Sequence, residues 1–345
     1  MAKRIVAIYD RGIDKNLMQG FDVLEKYGYE LTLVEKTVNE DELAYQNSML
    51  SVEVNGPDGT PINEEVFQYL DDAEIIITHF APVSRRMIEA AKNLKIIATL
   101  RTGMENINME AAKERGIKVI NAPGRAAVAV ADFTVAAMLC EIRNIARTDE
   151  DIKTGGWTKK YPNRTYSDNM CNLKVGLVGF GDIGRKIATR LKGFGTTILA
   201  YDPYCTKESI EAFGCVPVSL DELLEQADFV SLHVRLSPQT QNMFGAAEFA
   251  KMKPTAIFVN AARAGLVDEA AMIDALEQKI GGAVLDVFRE EPLPVDHPLR
   301  KLKNVTLSAH LAGTDIGTFS GSIKIVADNL EQYFSGGELK NVVNH

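Results

Sequence analysis

Arg263, Glu291 and His310 are the residues of this chain best placed to do chemistry, because each lies just after an apolar run. Arg263 follows AIFVNAA, Glu291 closes the segment GAVLDVFREEP, and His310 follows NVTLSA. A histidine beside a carboxylate is a general acid–base whose charged form is stabilised, which moves its pKa upward. A nearby arginine can hold a carboxylate through two parallel hydrogen bonds and polarise an adjacent carbonyl. Taken singly, each has a plainer reading. His310 is then a satisfied core histidine, Arg263 a surface ion-pair partner, and Glu291 an exposed turn residue before Pro292. Their shared place at strand ends argues for a joint site, since doubly wound sheets bind ligands outside the carboxyl ends of their strands.

A second set of residues says what that site works with. The stretch 174–202 reads KVGLVGFGDIGRKIATRLKGFGTTILAYD. Residues 175–178 form an apolar strand pattern, Gly179, Gly181 and Gly184 open a helix, and a second strand pattern at 197–201 ends on Asp202. Dinucleotide binding needs each part: a tight turn at the first glycine, close approach of backbone to a pyrophosphate at the second, and helix-on-strand packing at the third. The helix N-terminus then supplies free N–H groups and a positive dipole end for the phosphates. Asp202, 18 residues past Gly184, stands where a carboxylate accepts hydrogen bonds from a ribose diol. A carboxylate there repels a ribose 2′-phosphate, so the cofactor expected is NAD rather than NADP. Hydride transfer to or from C2 of a 2-hydroxy acid needs an anion clamp, a proton shuttle and a nicotinamide, and the two sets together supply them.

The elements that must position these residues alternate in the manner of parallel α/β folds. Strand patterns fall at 5–9, 31–34, 74–78, 95–100 and 118–121, with helical patterns between them, for example at 84–93. From Lys174 the alternation restarts, with strands near 197–201, 228–232, 255–260, 282–287 and 304–308. This predicts two doubly wound parallel-sheet lobes with helices on both faces and a cleft between them. The fingerprint marks 122–315 as a Rossmann NAD-binding domain. Residues 1–121 and 316–345 then form a discontinuous, flavodoxin-like substrate domain, onto which the last helix pattern, 315–334, packs back. The polar stretch 39–65, with Gly56, Pro57, Gly59 and Pro61, reads as an irregular surface excursion.

At this point the chain resembles the D-isomer-specific 2-hydroxyacid dehydrogenases. VGLVGFGDIG, VNAARAGLVDE, GAVLDVFREEPLP and LSAHLAG look like the signature blocks of that family, and TGMENINMEAAKERGI and APGRAAVAVADFTVAAML extend the likeness over the whole chain. Matched residue by residue, the resemblance implies that Arg263, Glu291 and His310 are the catalytic arginine, glutamate and histidine. It implies cofactor contacts at Gly179, Gly181, Asp182, Ile183, Gly184, Asp202, His233, Ala261, Ala262, Arg263, Asp286, and from His310 to Gly313, with Asp286 on the nicotinamide amide. It places the substrate carboxylate on the backbone N–H groups of Thr102 and Gly103. Three departures stand out. Ser308-Ala309 replaces the usual Thr-Pro before the histidine, Ala312 stands where a glycine is usual, and Arg235 replaces a proline after His233. A chain of this length is also expected to lack the regulatory domain of the larger phosphoglycerate dehydrogenases.

Composition bounds the rest. The chain has 345 residues, 46% of them hydrophobic and 25% charged, as expected of a globular protein with ample core. A formal net charge of -9 argues against a nucleic-acid partner, which needs a basic face. Four scattered cysteines without metal-ligand spacing, and the absence of a leader in MAKRIVAIYD, point to the cytoplasm and to no metal. Residues 126–140 are apolar but interrupted by Asp132, and read as a buried alanine-rich helix rather than a membrane span. Residues 126–147 are a candidate interface helix for a homodimer. His79 and Arg101, at the ends of strands in the first lobe, are candidates with Thr102 for reading a hydroxylated or phosphorylated substrate tail. The alternative for Arg101 is local pairing with Glu105. One further function stays open on sequence, an NAD(H)-sensing corepressor of the same fold, whose turnover is secondary.

Overall fold

The computed structural model describes residues 3–37, 44, 48, 51–52 and 55–344. Among them the chain divides into two compact units, Met1–Arg125 with Asp315–His345, and Ala126–Thr314. Much of the first half of the polar excursion expected at 39–65 lies outside the described residues. Its later part is a turn leading into a 3₁₀ helix, Glu64–Tyr69, whose first turn is capped by Asn63.

The first unit is built on five strands, β1 (Lys3–Tyr9), β2 (Tyr29–Glu35), β3 (Ala73–Thr78), β4 (Ile96–Thr99) and β5 (Lys118–Ile120). They pair in parallel in the order β2-β1-β3-β4-β5. Runs such as IVAI and EIIIT are β-branched and apolar at consecutive positions, as a sheet covered on both faces requires. The pleat sends Ile5, Ala7, Ile75 and Ile77 to one face, and Val6, Ile8, Ile76 and Ile97 to the other. Helices α1 (Lys15–Met18), α2 (Arg85–Ala90) and α3 (Met109–Glu114) start at Asp14, Ser84 and Asn108, each of which accepts from an amide of its first turn.

The second unit opens with α4 (Ala127–Ile142) and α5 (Ile145–Lys153). Seven strands follow: β6 (Lys174–Val178), β7 (Thr197–Tyr201), β8 (Val216–Pro217), β9 (Phe229–Leu232), β10 (Ile257–Asn260), β11 (Gly282–Leu285) and β12 (Val305–Leu307). All pair in parallel, in the order β12-β11-β10-β9-β6-β7-β8. Between them run α6 (Asp182–Lys192), α7 (Lys207–Glu211), α8 (Leu220–Gln226), α9 (Ala246–Lys251) and α10 (Glu269–Gln278). The alanine-rich α4 buries Ala131, Val135 and Met138 in one cluster with Ile187 and Leu191 of α6. Asp132 is on its exposed side, paired with Arg190. Among the described residues no helix is long and apolar enough to cross a membrane.

The chain then returns to the first unit as α11 (Ile316–Phe334), capped by Asp315. Ile323, Val326, Ala327 and Leu330 join the cluster of Ile5, Phe21, Leu24 and Ile75. Hence residues more than 300 positions apart share one core, and the second unit is an insertion in the first.

Both sheets reverse their winding at an identifiable place. In the second unit successive strands depart to opposite sides of β6, so the reversal falls between β6 and β9. In the first unit it falls between β1 and β3. Such points open a crevice at the carboxyl ends of the strands, which is where ligands of these folds bind.

Candidate active site

The glycine loop leaves β6 at the reversal of the second sheet. Gly179 has φ +98°, and a Cβ on it would lie 2.7 Å from the His233 carbonyl group, so no other residue fits. A Cβ on Gly184 would stand 2.4 Å from the Gly179 carbonyl oxygen, which is why helix and loop approach so closely. Gly181 is different: a Cβ there would meet nothing within 4 Å. It is the N-cap of α6, and no side chain caps that helix. Thus the first turn, with Asp182 and Ile183, turns uncapped amides and a positive dipole end toward open space. Asp202 ends β7 and accepts from the Phe180 amide at 2.8 Å and the Tyr204 amide at 2.9 Å. A side chain at 181 would fill the space that a pyrophosphate needs, and a carboxylate stands at the ribose position. The residues present therefore fit a dinucleotide.

His233 follows β9 and lines this loop from the other side. Its Nε2 pairs with Ser231 Oγ at 2.8 Å, and burial pushes its pKa down to about 3, so the ring is neutral. Beyond β10, Asn260 orders the turn that carries Ala261, Ala262 and Arg263. Its Oδ1 accepts from the Ala262 amide and its Nδ2 donates to the Arg263 carbonyl, both at 3.0 Å. Arg263 is exposed, with Nη1 donating to the Ala262 carbonyl at 2.8 Å.

The structure brings His310 and Glu291 together. Nδ1 of His310 lies 2.8 Å from Oε2 of Glu291, whose Oε1 accepts from the Phe288 amide at 3.0 Å. The hydrogen bond from His310 to Glu291 holds the histidine above its ordinary value, against the opposing effect of burial. The charges of Glu291 and Asp286 add to the rise, and Arg263 counters it. Burial would raise Glu291, yet the bonds from His310 and Phe288 keep it below the usual glutamate range. Arg263 acts electrostatically on both groups, so the three candidates share one field.

Asp286 is buried and binds the His310 loop. Oδ1 accepts from Ser308 Oγ at 2.6 Å and the Leu311 amide at 2.9 Å, and Oδ2 accepts from the Ala312 amide at 2.9 Å. His310 itself sits at φ +54°, an uncommon backbone region for a non-glycine residue. Ala312 packs against Val130 and Ala261, and a Cβ on the following Gly313 would lie 3.4 Å from that of Ala126. Asn260 did not enter the sequence reading of the site, and Ser308 entered it only as a departure from the family's usual threonine. A polar residue closing an otherwise apolar strand, as in IFVN, is the signal that finds the first; the second has none beyond its nearness to His310.

In the first unit the other candidates lie at carboxyl ends of strands. Asp10, after β1, and His79, after β3, meet at the reversal of that sheet, with His79 Nδ1 3.1 Å from both carboxylate oxygens. Burial works against the Asp10 charge, but His79 and the amides of Ile13 and Phe80 bring its carboxyl to about 2. Burial lowers His79 below the ordinary histidine value, against the pull of Asp10. An ionised acceptor on Nδ1 fixes the hydrogen there and leaves Nε2 as a lone pair. That nitrogen has no partner among the described residues. The Arg101 guanidinium lies 4.0 Å from the Phe80 ring centre and 3.7 Å from Glu105, so the local pairing with Glu105 is present. Thr102 Oγ1 donates to the Ala122 carbonyl at 3.3 Å. The Glu105 carboxylate also lies against Gly103, where a Cβ would stand 2.3 Å from its Oε2.

Comparison with known proteins places this geometry among relatives. The family model described as D-isomer specific 2-hydroxyacid dehydrogenase, NAD binding domain, matches residues 135–312. The chain is 39% identical over 284 residues to the D-3-phosphoglycerate dehydrogenase of Methanocaldococcus jannaschii, a match that covers 81% of this chain and 53% of that protein. It is 37% identical over 287 residues to the glyoxylate reductase of Korarchaeum cryptofilum, covering 82% and 86%. In fold it is similar to the crystal structure of D-lactate dehydrogenase with NAD+ from Lactobacillus jensenii, with TM-score 0.78, 24% identity, and coverage of 99% of this chain and 100% of that one. The chain spans little more than half the length of the phosphoglycerate dehydrogenases of Methanocaldococcus jannaschii and Archaeoglobus fulgidus, 53% and 59%.

Proposed function

Since the chain belongs to the D-isomer-specific 2-hydroxyacid dehydrogenase family, with the family's NAD-binding domain over residues 135–312, we propose that it is an NAD-dependent oxidoreductase interconverting a D-2-hydroxy acid and its 2-oxo acid. The observation that carries this reading is the His310–Glu291 pair at 2.8 Å, in which Glu291 holds His310 above its ordinary value while Arg263 acts on both. NAD supplies the hydride acceptor or donor when bound. Gly181, Asp182 and Ile183 hold its pyrophosphate, Asp202 its ribose, and His233, Ala261, Ala262, Asp286 and Gly313 line the rest of its site.

Arg263 clamps the substrate carboxylate and polarises the C2 oxygen. In reduction, protonated His310 gives its proton to that oxygen. In oxidation, neutral His310 takes the proton back, and Glu291 stabilises the imidazolium formed. The discontinuous first unit serves as the substrate domain. The substrate tail is small and polar, hydroxylated or phosphorylated: the wall formed by His79 and Thr102 offers an acceptor nitrogen to a hydroxylated tail and a hydroxyl to either. Arg101 adds charge to that wall while its guanidinium pairs with Glu105. The relatives' names run the same way, to glyoxylate, hydroxypyruvate and 3-phosphoglycerate. We place the protein in the cytoplasm as a homodimer; of the candidate interface segment 126–147, α4 is largely buried within its own unit and Val128 and Ile145 are exposed.

The corepressor reading is not favoured, since the named relatives are dehydrogenases and reductases. The deciding experiment is NADH oxidation with purified protein and glyoxylate, hydroxypyruvate, pyruvate and 2-oxoisocaproate. Turnover with the polar acids is expected. Binding of NADH with negligible rates on every acid would reject the enzyme, and a preference for 2-oxoisocaproate would reject the polar tail.

A further inference from the structure

The loop that presents His310 is held by one buried carboxylate. Asp286 receives Ser308 Oγ, the Leu311 amide and the Ala312 amide, so its donors bracket His310 on both sides. On the far side two backbone amides hold the loop, and almost any sequence supplies those. On the near side the donor is a side chain. Ser308 Oγ is 2.6 Å from the Asp286 oxygen and 3.5 Å from the Leu285 carbonyl, so its single hydrogen goes to the carboxylate. Ala309, between Ser308 and His310, is exposed and brings no polar side-chain atom. His310 is meanwhile kept at φ +54°, a conformation that persists only where the surroundings over-determine it.

We infer that Ser308 is a positioning residue for His310: its hydroxyl, bound to Asp286, fixes the near side of the loop so that the imidazole meets Glu291. This rests on the reading of His310 as proton carrier. The role is not one of packing, because a methyl group in place of the hydroxyl would fill nearly the same space. Loosening the loop would act on the proton affinity of His310 as well as its place, since contact with Glu291 is what holds the proton on.

The test uses Ser308→Ala, Ser308→Thr, Ser308→Val and His310→Ala in the full chain, with NADH and glyoxylate as probes and Tm as the control for folding. Threonine and valine have the same shape and differ in the hydroxyl, so their comparison holds even if alanine destabilises the loop. Loss of one hydrogen bond to a charged acceptor predicts kcat lower by about tenfold or more for Ser308→Ala and Ser308→Val. In both variants the pH at which reduction falls off should move down, toward that of an unassisted histidine. Ser308→Thr should restore the rate and the pH profile together. Lower Tm with a wild-type pH profile in the Val variant would make Ser308 merely structural and overturn the inference. So would wild-type kinetics of Ser308→Ala and Ser308→Val alongside an inactive His310→Ala. Wild-type turnover by His310→Ala would instead reject the proton-carrier reading itself, and the inference with it.

Discussion

The Phe180 amide donates to Oδ2 of Asp202 at 2.8 Å, so the acid that ends β7 also braces the glycine loop that ends β6. Cofactor choice and loop geometry are thereby tied to one carboxylate. Asp202→Ala should weaken NADH by about tenfold or more, because a charge-assisted bond is lost inside the loop itself. Asp202→Asn keeps an oxygen for the Phe180 amide but removes the charge that repels a 2′-phosphate. It should retain most NADH affinity while narrowing the preference over NADPH, which we expect to be at least about tenfold in the native chain, the size of about 1.4 kcal/mol. Fluorescence titration with both nucleotides checks this, and equal use of the two by the native protein would sink it.

Two glycines of the same loop should fail in opposite ways. Gly184→Ala drives a methyl group against the Gly179 carbonyl oxygen, 2.4 Å away, and should destabilise by about 1–3 kcal/mol as overpacked sites do. Gly181→Ala meets open space, so it should fold with nearly native Tm and lose NADH binding. Thermal melts with and without NADH separate the cases. An alanine at 181 that binds NADH normally would show that the pyrophosphate lies elsewhere.

The His310–Glu291 pair sets a pH dependence whose sign is fixed. Reduction needs His310 charged, and His310 is held above the ordinary value of about 6.5, so the rate should fall only as pH rises past that raised value. Glu291→Gln removes the partner, and the fall should move to lower pH, as should the rise of the oxidation rate. His310→Ala should cost about 10²–10⁴ in kcat. Profiles of rate against pH in both directions measure this, and unchanged profiles in Glu291→Gln would dissolve the pairing.

His79 predicts a stability slope in the first unit. Its folded value lies below that of the unfolded chain, so the unfolded state binds the proton first as pH falls. The stability it contributes is complete above about 6.5 and is lost as pH drops through that point toward the folded value. Asp10 is held down to about 2, so its own contribution is lost as pH falls from the ordinary carboxylate value toward about 2. Urea unfolding at several pH values should show His79→Asn with a flatter slope just below about 6.5. A slope identical to that of the native chain would exclude His79 as its source.

All strands but the two-residue edge strand β8 were legible in the sequence, because apolar runs rich in β-branched residues such as IIIT and IFVN stand out, whereas Val216–Pro217 is too short to show a pattern. The three catalytic candidates were legible for the same reason: a polar residue following an apolar strand has few places to go. What escaped was the support beneath them. Nothing in SAHLAG says that Ser308 turns to Asp286, since a serine near a loop has many possible acceptors and the choice depends on a strand 22 residues earlier. The Asp10–His79 pair escaped likewise, being made by strands that are adjacent in the sheet but 69 residues apart. Hydrogen bonds across a parallel sheet have no period in the sequence.

The insertion of the second unit into the first fixes an order of events during synthesis. Residues 126–314 are continuous, so their sheet and both its helical layers leave the ribosome as one piece. The first unit is interrupted at Arg125 with Ile5, Phe21, Leu24 and Ile75 already made and one wall of their core still missing. That wall is α11, which arrives only after some 190 intervening residues have been added. At elongation rates of about 5–20 residues per second, the apolar face of the first sheet stays uncovered for roughly 10–40 seconds. The part made first is thus the last to close.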